Sequence, residues 1–223
     1  MINKNIEAEK WEEFYKKNEL SYPDENLIRI FRGPYLDIAK EGRLLDVGFG
    51  SGAFLEFAAS DFECYGEEIN QESINQLKRR AADKNLSVKT KLIKNEYLAY
   101  DDDFFDVVVS WNAVYYWGNV SKVKKAISEM YRVLRPGGTF LLSVPAERNS
   151  LANRLTPTEE MNVYKVAEAS TYDTRQGVKI VYGDALFWQA LMPNFKQVKK
   201  GRVTIDLFLE DKISDWLLFG CIK

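Results

Sequence analysis

Hydrophobic and polar positions at the start of the chain follow a helical pattern. Apolar side chains recur at helical spacing over residues 6–20 and again over residues 24–33. Pro23 separates the two runs, and Asp24 is a residue type that commonly opens a helix. Because this opening is rich in aromatic residues and shows no strand pattern, we expect residues 1–36 to form a helical cap.

From residue 43 the pattern changes to short apolar runs that alternate with amphipathic stretches. The apolar runs predict strands at 44–47, 63–67, 87–93, 105–110 and 139–144. The amphipathic stretches predict helices at 54–58, 71–84 and 120–134. This alternation indicates the α/β class, with a mostly parallel sheet that is covered by helices on both faces.

The periodicity weakens after Pro145, where polar and irregular sequence predicts an insertion at about 146–183. Within the insertion we expect a short helix over 159–168. The pattern then recovers in three elements, which are a helix at 184–192 and strands at 203–209 and 216–222. The two late strands predict an antiparallel pair at one sheet edge, so that the main domain covers residues 37–223.

A glycine-rich segment, Gly48-Phe49-Gly50-Ser51-Gly52, joins the first predicted strand to the next helix. Glycines tolerate positive φ and let a ligand approach the backbone, and the helix start offers unpaired amides. Glu68 lies just past the second strand, where a carboxylate can reach the ribose of a bound nucleoside. Alone, the loop also fits a dinucleotide-binding pattern or a purely structural turn.

Further polar residues lie near the ends of predicted strands. Asp46 precedes the first glycine by two residues, where it would repel a diphosphate but tolerate a cationic sulfonium amino acid. Alternatively, the only role of Asp46 could be to order its own loop. Ser110 and Asn112 lie at the end of the fourth strand, where parallel sheets bind ligands.

These segments resemble, in order and spacing, those of class I S-adenosylmethionine-dependent methyltransferases of the small-molecule type. Residues 45–52 (LDVGFGSG) resemble the first motif of the family, and Glu68 resembles its ribose-binding acid. Residues 105–108 (FDVV) and 134–139 (LRPGGT) resemble the motifs of the fourth and fifth strands. The resemblance, over roughly residues 40–145, implies a Rossmann-like, doubly wound sheet of seven strands with an antiparallel last strand.

The resemblance also implies S-adenosylmethionine as cofactor and S-adenosylhomocysteine as product. It assigns the methionyl end to the glycine loop and Asp46, and the ribose to Glu68. The segment after the third strand departs from the family pattern, so that either Asn95 or Glu96 meets the adenine. The predicted cofactor-binding residues are Tyr15, Asp46, Gly48, Phe49, Gly50, Gly52, Glu68, Ile69, Asn95, Glu96, Ser110 and Asn112.

An aromatic cluster follows the fourth strand and comprises Trp111, Tyr115, Tyr116 and Trp117. It could wall the acceptor pocket and contact a cation, or it could be ordinary core packing. We include these four residues as candidate substrate-binding residues, with core packing as the alternative. No residue is assigned as a general base.

Composition excludes several chemistries. The 223-residue chain has no histidine, which removes histidine-based triads and imidazole metal sites, and we expect no metal site. Cys64 and Cys221 lack zinc or disulfide spacing and sit among apolar neighbours, which predicts buried free thiols. The N-terminus has no secretory pattern and no apolar run could span a membrane, so the expected location is cytoplasmic.

The formal net charge of −2 argues against nucleic acid as the main partner, although lysines near residues 122–125 and 196–202 could form a local basic patch. The leading hypothesis is therefore a methyltransferase with a small-molecule acceptor. One alternative is an NAD(P)-linked oxidoreductase, which Asp46 and the proline–glycine turn at 136–138 oppose. Others are a catalytically silent binding domain and a methyltransferase with an RNA or protein acceptor.

Overall fold

The computed structural model describes residues 6–167, 175–206 and 213–223. The helices are α1 (Ile6–Lys17), α2 (Glu25–Arg32), α3 (Ala53–Ala58), α4 (Gln71–Asp83), α5 (Val120–Val133) and α6 (Ala185–Ala190). The strands are β1 (Gly42–Val47), β2 (Phe62–Glu68), β3 (Val88–Leu92), β4 (Phe105–Trp111), β5 (Leu134–Pro145), β6 (Leu155–Pro157), β7 (Val163–Val166), β8 (Lys179–Val181), β9 (Lys196–Asp206) and β10 (Ile213–Ile222). Single 3₁₀ turns lie at Val114–Tyr116 and Ala152–Arg154.

The main sheet has seven strands in the order β3-β2-β1-β4-β5-β10-β9. Strands β1 to β5 pair in parallel, whereas β10 runs antiparallel to both β5 and β9. The predicted Rossmann-like, doubly wound sheet with an antiparallel last strand is thereby confirmed. The strand order reverses between β1 and β4, which is where open α/β sheets place their ligand crevice.

Two separate apolar cores cover the two faces of this sheet. On one face, α5 and α6 pack their buried side chains, such as Ile127 and Trp188, against β4 and β5. On the other face, α2, α3 and α4 pack against β1 and β2, with the Phe31 and Phe54 rings 5.1 Å apart and edge to face. Because β4 is buried on both faces, its sequence is a continuous run of valines rather than an alternating pattern.

The insertion after β5 contains a second sheet with the order β6-β7-β8. The predicted helix over 159–168 is therefore wrong in its described part, because β7 occupies Val163–Val166. Val163 and Val166 are β-branched, and both are buried in the core shared with α5. This burial favours a strand over the weak helical pattern.

The edge strand β9 begins at Lys196, earlier than the predicted start at residue 203. Its first half is rich in lysine and almost wholly exposed, which is typical of an edge strand that avoids pairing with other chains. The predicted residues Leu207 and Leu209 lie outside the described residues. The turn at 135–138 lies within β5 as an irregularity in its pairing with β4.

The two N-terminal helices contact different parts of the domain. Helix α1 ends at Lys17 and packs on α4, whereas α2 begins after the predicted Asp24 cap and packs on the second core. Cys64 and Cys221 are buried free thiols, as predicted. Within the described part of the chain, no helix combines the length and the apolar character that crossing a membrane requires.

Candidate active site

The loop between β1 and α3 is shaped by three glycines in the left-handed region. The φ angles of Gly48, Gly50 and Gly52 are 79°, 59° and 80°. A side chain at Gly48 would place its Cβ 2.4 Å from the Cβ of Ala113. The loop therefore exposes backbone rather than side chains at the carboxyl end of β1, as a ligand cradle requires.

Glu68, the last residue of β2, holds the glycine loop in place through a hydrogen bond from the Gly50 amide. Its carboxylate accepts hydrogen bonds from the backbone amides of Gly50 at 2.9 Å and Ile69 at 2.6 Å, and from the Asn70 side chain at 3.2 Å. Burial raises the pKa of Glu68 to about 7, although these hydrogen bonds act in the opposite direction. The carboxylate is thus held at the cavity wall in a fixed orientation.

Asp46 is a second buried carboxylate on the neighbouring strand β1. Its residue is 3% exposed, and its Oδ1 atom has no hydrogen-bond partner among the residues the structure describes. Burial, followed by the nearby charge of Glu68, raises the pKa of Asp46 to about 8. Because an unsatisfied buried carboxylate is costly, its position suits a cationic ligand group.

Helix α1 brings Tyr15 over the glycine loop. The Tyr15 hydroxyl lies 2.5 Å from the position that a Cβ on Gly50 would occupy. The Gln76 side chain donates a 2.6 Å hydrogen bond to the Tyr15 carbonyl, and the Leu20 amide donates a 2.9 Å bond to Ser51 Oγ. Burial, together with Glu68, raises the pKa of Tyr15 well above its usual range, so its hydroxyl stays protonated and can donate.

The loop, the strand ends and α1 enclose a cavity of about 530 Å³. The cavity is lined by Glu7, Trp11, Tyr15, Gly48, Glu68, Ile69, Ile93, Lys94, Asn95, Glu96, Asn112, Ala113, Tyr116, Trp117, Gly118, Asn119, Lys122 and Lys179. It thus combines apolar and aromatic walls with a small number of polar groups, as small-molecule sites do.

The end of β4 supplies an ordered amide to this cavity. Asn112 has a φ of 57° and donates its backbone amide to Ser143 Oγ at 2.8 Å, while Ser143 Oγ donates to Asn112 Oδ1 at 2.6 Å. Ser110 is fully buried and donates to the Val47 carbonyl at 3.3 Å. Of the two predicted residues, only Asn112 lines the cavity, and Ser143 positions it.

The structure places the four candidate substrate-binding aromatics in three different environments. Tyr116 and Trp117 line the cavity, and Trp11 of α1 packs edge-on against Tyr116 with the ring centroids 5.0 Å apart. Tyr115 is buried in the core that contains α5, so its role is packing. Trp111 points to the opposite sheet face and borders a second cavity of about 460 Å³, so neither it nor Tyr115 is placed to contact an acceptor in the first cavity.

Comparison with known proteins shows which protein family this site resembles. A methyltransferase-domain family model matches residues 45–142, which contain the glycine loop, Glu68 and the end of β4. Over this stretch the chain is therefore similar to S-adenosylmethionine-dependent methyltransferases. The match ends within β5, so the helix α1, the insertion with the second sheet and the last two strands lie outside it.

Curated relatives are about a third identical to this chain over the aligned stretches alone. An uncharacterized methyltransferase of Bacillus subtilis is 34% identical over 104 residues, covering 46% of this chain and 40% of the relative. A glycine/sarcosine/dimethylglycine N-methyltransferase of Actinopolyspora halophila is 32% identical over 146 residues, covering 63% of this chain and 25% of the relative. The chain thus spans less than half the length of these relatives.

Among solved structures, a SAM-dependent methyltransferase from Methanosarcina mazei has a similar fold. It superposes with a TM-score of 0.67 and covers 92% of this chain and 99% of its own, at 19% sequence identity. The shared fold covers more of this chain than residues 45–142, which the family model matches. At this identity the likeness concerns the fold alone.

The remaining predicted cofactor residues lie at or behind the cavity. Ile69, Asn95 and Glu96 all line it, so the structure leaves both Asn95 and Glu96 beside the same space. The Phe49 side chain is instead buried in the second core, where it packs against the backbone of Gly66. Gly52 packs against the Leu77 side chain of α4 and takes part through the loop backbone alone.

Sequence analysis missed two basic residues of the insertion. Lys179 lines the cavity, and Arg175 donates a 2.5 Å hydrogen bond to the Tyr116 hydroxyl. Both lie in a stretch without periodicity, so no sequence signal placed them beside the aromatic cluster. Trp11 was also missed as a cavity residue, because helical spacing alone does not show which partner the helix packs against.

Proposed function

We propose that this chain transfers a methyl group from S-adenosylmethionine to a small-molecule acceptor bound in the 530 Å³ cavity. The observation that carries the proposal is the buried Asp46 carboxylate beside the glycine loop, whose Oδ1 atom has no hydrogen-bond partner among the described residues. A cationic amino group would satisfy this carboxylate, whereas a diphosphate would be repelled by it. When bound, S-adenosylmethionine supplies an electrophilic methyl group on a sulfonium centre.

Residues of the cavity, of the glycine loop and of strand β1 would each bind a different part of the cofactor. Asp46 would pair with the ammonium of the methionyl end, and the exposed backbone at Gly48 and Gly50 would hold that end in place. Glu68 would accept hydrogen bonds from the ribose hydroxyls, in addition to those from the Gly50 and Ile69 amides. Ile69 and one of the two residues after β3, Asn95 or Glu96, would contact the adenine.

The walls of the cavity would orient the acceptor and exclude water. Tyr116, Trp117 and Trp11 present aromatic surface, and the fixed Asn112 amide offers polar atoms at the end of β4. Positioning of two reactants in a water-poor site is the main contribution that a protein makes to a displacement of this kind. The name of the Actinopolyspora halophila relative supports a small acceptor.

Thermal unfolding with S-adenosylhomocysteine, with NADH in parallel, tests the proposal. The homocysteine nucleoside at a hundred times its Kd should add about 2.7 kcal/mol to the free energy of unfolding. For a domain of this size, that corresponds to a rise in Tm of roughly 5–10 °C. A rise with NADH alone would overturn the proposal in favour of an oxidoreductase. No response to either ligand would favour a domain that is catalytically silent.

A further inference from the structure

Two basic residues from the insertion converge on the aromatic end of the cavity. Lys179, the first residue of β8, lines the cavity itself. Arg175 donates a 2.5 Å hydrogen bond to the hydroxyl of Tyr116, whose ring lines the same cavity. The guanidinium and the ammonium therefore come from one short stretch of chain, outside the part that the methyltransferase family model matches.

A third cation adds to the positive charge of this end. Lys165 on β7 is the direct cross-strand partner of Lys179 on β8. Opposite residues of antiparallel strands place their Cβ atoms about 4.5–5.5 Å apart on the same face, and like charges in that arrangement are destabilising. An anion bound nearby would relieve the cost of this lysine pair.

Two carboxylates that line the cavity have partners other than Arg175 and Lys179. Glu96 lies 3.7 Å from the Lys122 ammonium and 3.9 Å from that of Lys125, both on α5. Glu68 accepts hydrogen bonds from the Gly50 amide of the glycine loop and from the Ile69 amide. Glu7 of α1 also borders the cavity, so its negative charge opposes the entry of an anionic ligand.

We infer that the acceptor carries an anionic group, a carboxylate or a phosphate, that Arg175 and Lys179 bind together with the Tyr116 hydroxyl. This inference rests on the proposed function, since it names the class of the acceptor. A guanidinium matches two oxygens of such a group through a planar fork of N–H donors, and a lysine adds a point charge. The anionic group would anchor the acceptor on the insertion, while the aromatic wall and Asn112 face the rest of the molecule.

The test measures binding of two simple probes, acetate and inorganic phosphate, by calorimetry to the free protein and to the protein saturated with S-adenosylhomocysteine. Chloride at matched ionic strength controls for screening. We expect one of the probes to bind, and the stronger one identifies the carboxylate or phosphate class. Arg175→Gln and Lys179→Gln should each weaken binding by about tenfold or more, Arg175→Lys should restore part of it, and Glu7→Gln should strengthen it.

Arg29→Gln is the matched control, because Arg29 borders the second cavity on the opposite sheet face. If Arg29→Gln abolishes probe binding while Arg175→Gln and Lys179→Gln do not, the anion belongs to the second cavity and the inference is overturned. The inference is also overturned if neither probe binds, even when S-adenosylhomocysteine does bind. Conversely, if the nucleoside fails to bind while the probes retain their dependence on Arg175 and Lys179, the proposed cofactor is wrong and the anion site stands.

Discussion

The backbone amide of Gly50 donates a 2.9 Å hydrogen bond to Oε2 of Glu68. This bond joins the glycine loop after β1 to the carboxyl end of β2, so the two parts of the proposed cofactor site are positioned by each other. One carboxylate thereby has two tasks, because it supports the loop and also lines the cavity. Substitutions can separate the two tasks when the side-chain shape is kept.

Glu68→Gln should weaken binding of S-adenosylhomocysteine by about ten- to a hundredfold, since a carboxylate accepts stronger hydrogen bonds from hydroxyls than an amide does. The single amide oxygen can accept either from the Gly50 amide or from the Ile69 amide and the Asn70 side chain, but not from both sides. The free energy of unfolding should therefore fall by about 1–3 kcal/mol. Isothermal calorimetry and chemical denaturation measure the two quantities.

Glu67→Gln is the control for this substitution. Glu67 is the adjacent residue of β2 and is also a buried carboxylate, but it does not line the cavity. It should leave the affinity for the nucleoside unchanged. Equal losses in both variants would mean that Glu68 acts only through the fold.

Sequence patterns predicted the parts of the fold that depend on local periodicity. The strands from β1 to β5, the glycine loop and Glu68 follow from alternation, glycine spacing and motif order. The sheet face on which Trp111 lies could also have been predicted from the sequence. Strand residues alternate between the two faces, so Trp111 lies on the same face as Val107 and Val109, which are buried in the second core. The side of the sheet on which the cavity lies was the missing information.

The acceptor end of the site could not be predicted because it depends on contacts between distant segments. Arg175 meets Tyr116 across 59 positions of the chain, through strands of the insertion that are only three or four residues long. Such short strands carry little periodic signal, and their register is fixed by the core rather than by local propensity. The small second sheet was therefore mistaken for a helix in part.

Gly50→Ala should both destabilise the protein and abolish cofactor binding. A Cβ at this position meets the Tyr15 hydroxyl at 2.5 Å and must also adopt a φ of 59°. The left-handed conformation alone costs about 1–2 kcal/mol for a non-glycine residue. Displacement of Tyr15 from the loop adds to this cost, and denaturation curves should show the sum.

Gly137→Ala isolates the conformational part of that cost. Gly137 has a φ of 75°, and the nearest atom to its Cβ position is 4.0 Å away. The Tyr15→Phe substitution should recover part of the stability of Gly50→Ala, because it removes the hydroxyl in contact and leaves the ring carbon at 3.4 Å. If Gly50→Ala and Gly137→Ala cost the same, Tyr15 is not seated on the loop.

Arg80→Ala should destabilise the protein by about 1–3 kcal/mol and also loosen the cofactor site. The Arg80 guanidinium, which is 14% exposed, pairs with Glu56 of α3 and with Glu19 at 2.5 Å, and donates to the Ser51 carbonyl in the glycine loop. Its removal leaves the Glu56 carboxylate, which is 6% exposed, with Lys84 as its remaining cation.

The adjacent Arg79 provides the comparison for Arg80. Its side chain is 59% exposed and pairs with Glu72 on the same helix. Pairs of this kind contribute little, so Arg79→Ala should change the free energy of unfolding by less than about 0.5 kcal/mol. Similar effects of the two substitutions would contradict a special role for the Arg80 network.

The buried pair Asp46 and Glu68 should make stability fall as pH rises. Their pKa values are raised to about 8 and about 7 in the folded protein, from 3.8 and 4.5. Between these limits the folded protein retains protons that the unfolded chain has lost, so the free energy of unfolding decreases with increasing pH. The stabilising effect is complete below about pH 4 and is lost above about pH 8.

Binding of S-adenosylhomocysteine should lower the raised pKa of Asp46, because the ammonium group of the nucleoside stabilises the ionised form of this carboxylate. Near neutral pH the nucleoside should therefore release protons on binding, which calorimetry in two buffers of different protonation enthalpy measures directly. Asp46→Asn should abolish most of the release, weaken binding, and flatten the decline of stability between about pH 5 and pH 8. Glu25→Gln, at an exposed position on α2, should change none of these quantities. Proton uptake, or a release that survives in Asp46→Asn, would show that another group supplies the negative charge for the cofactor.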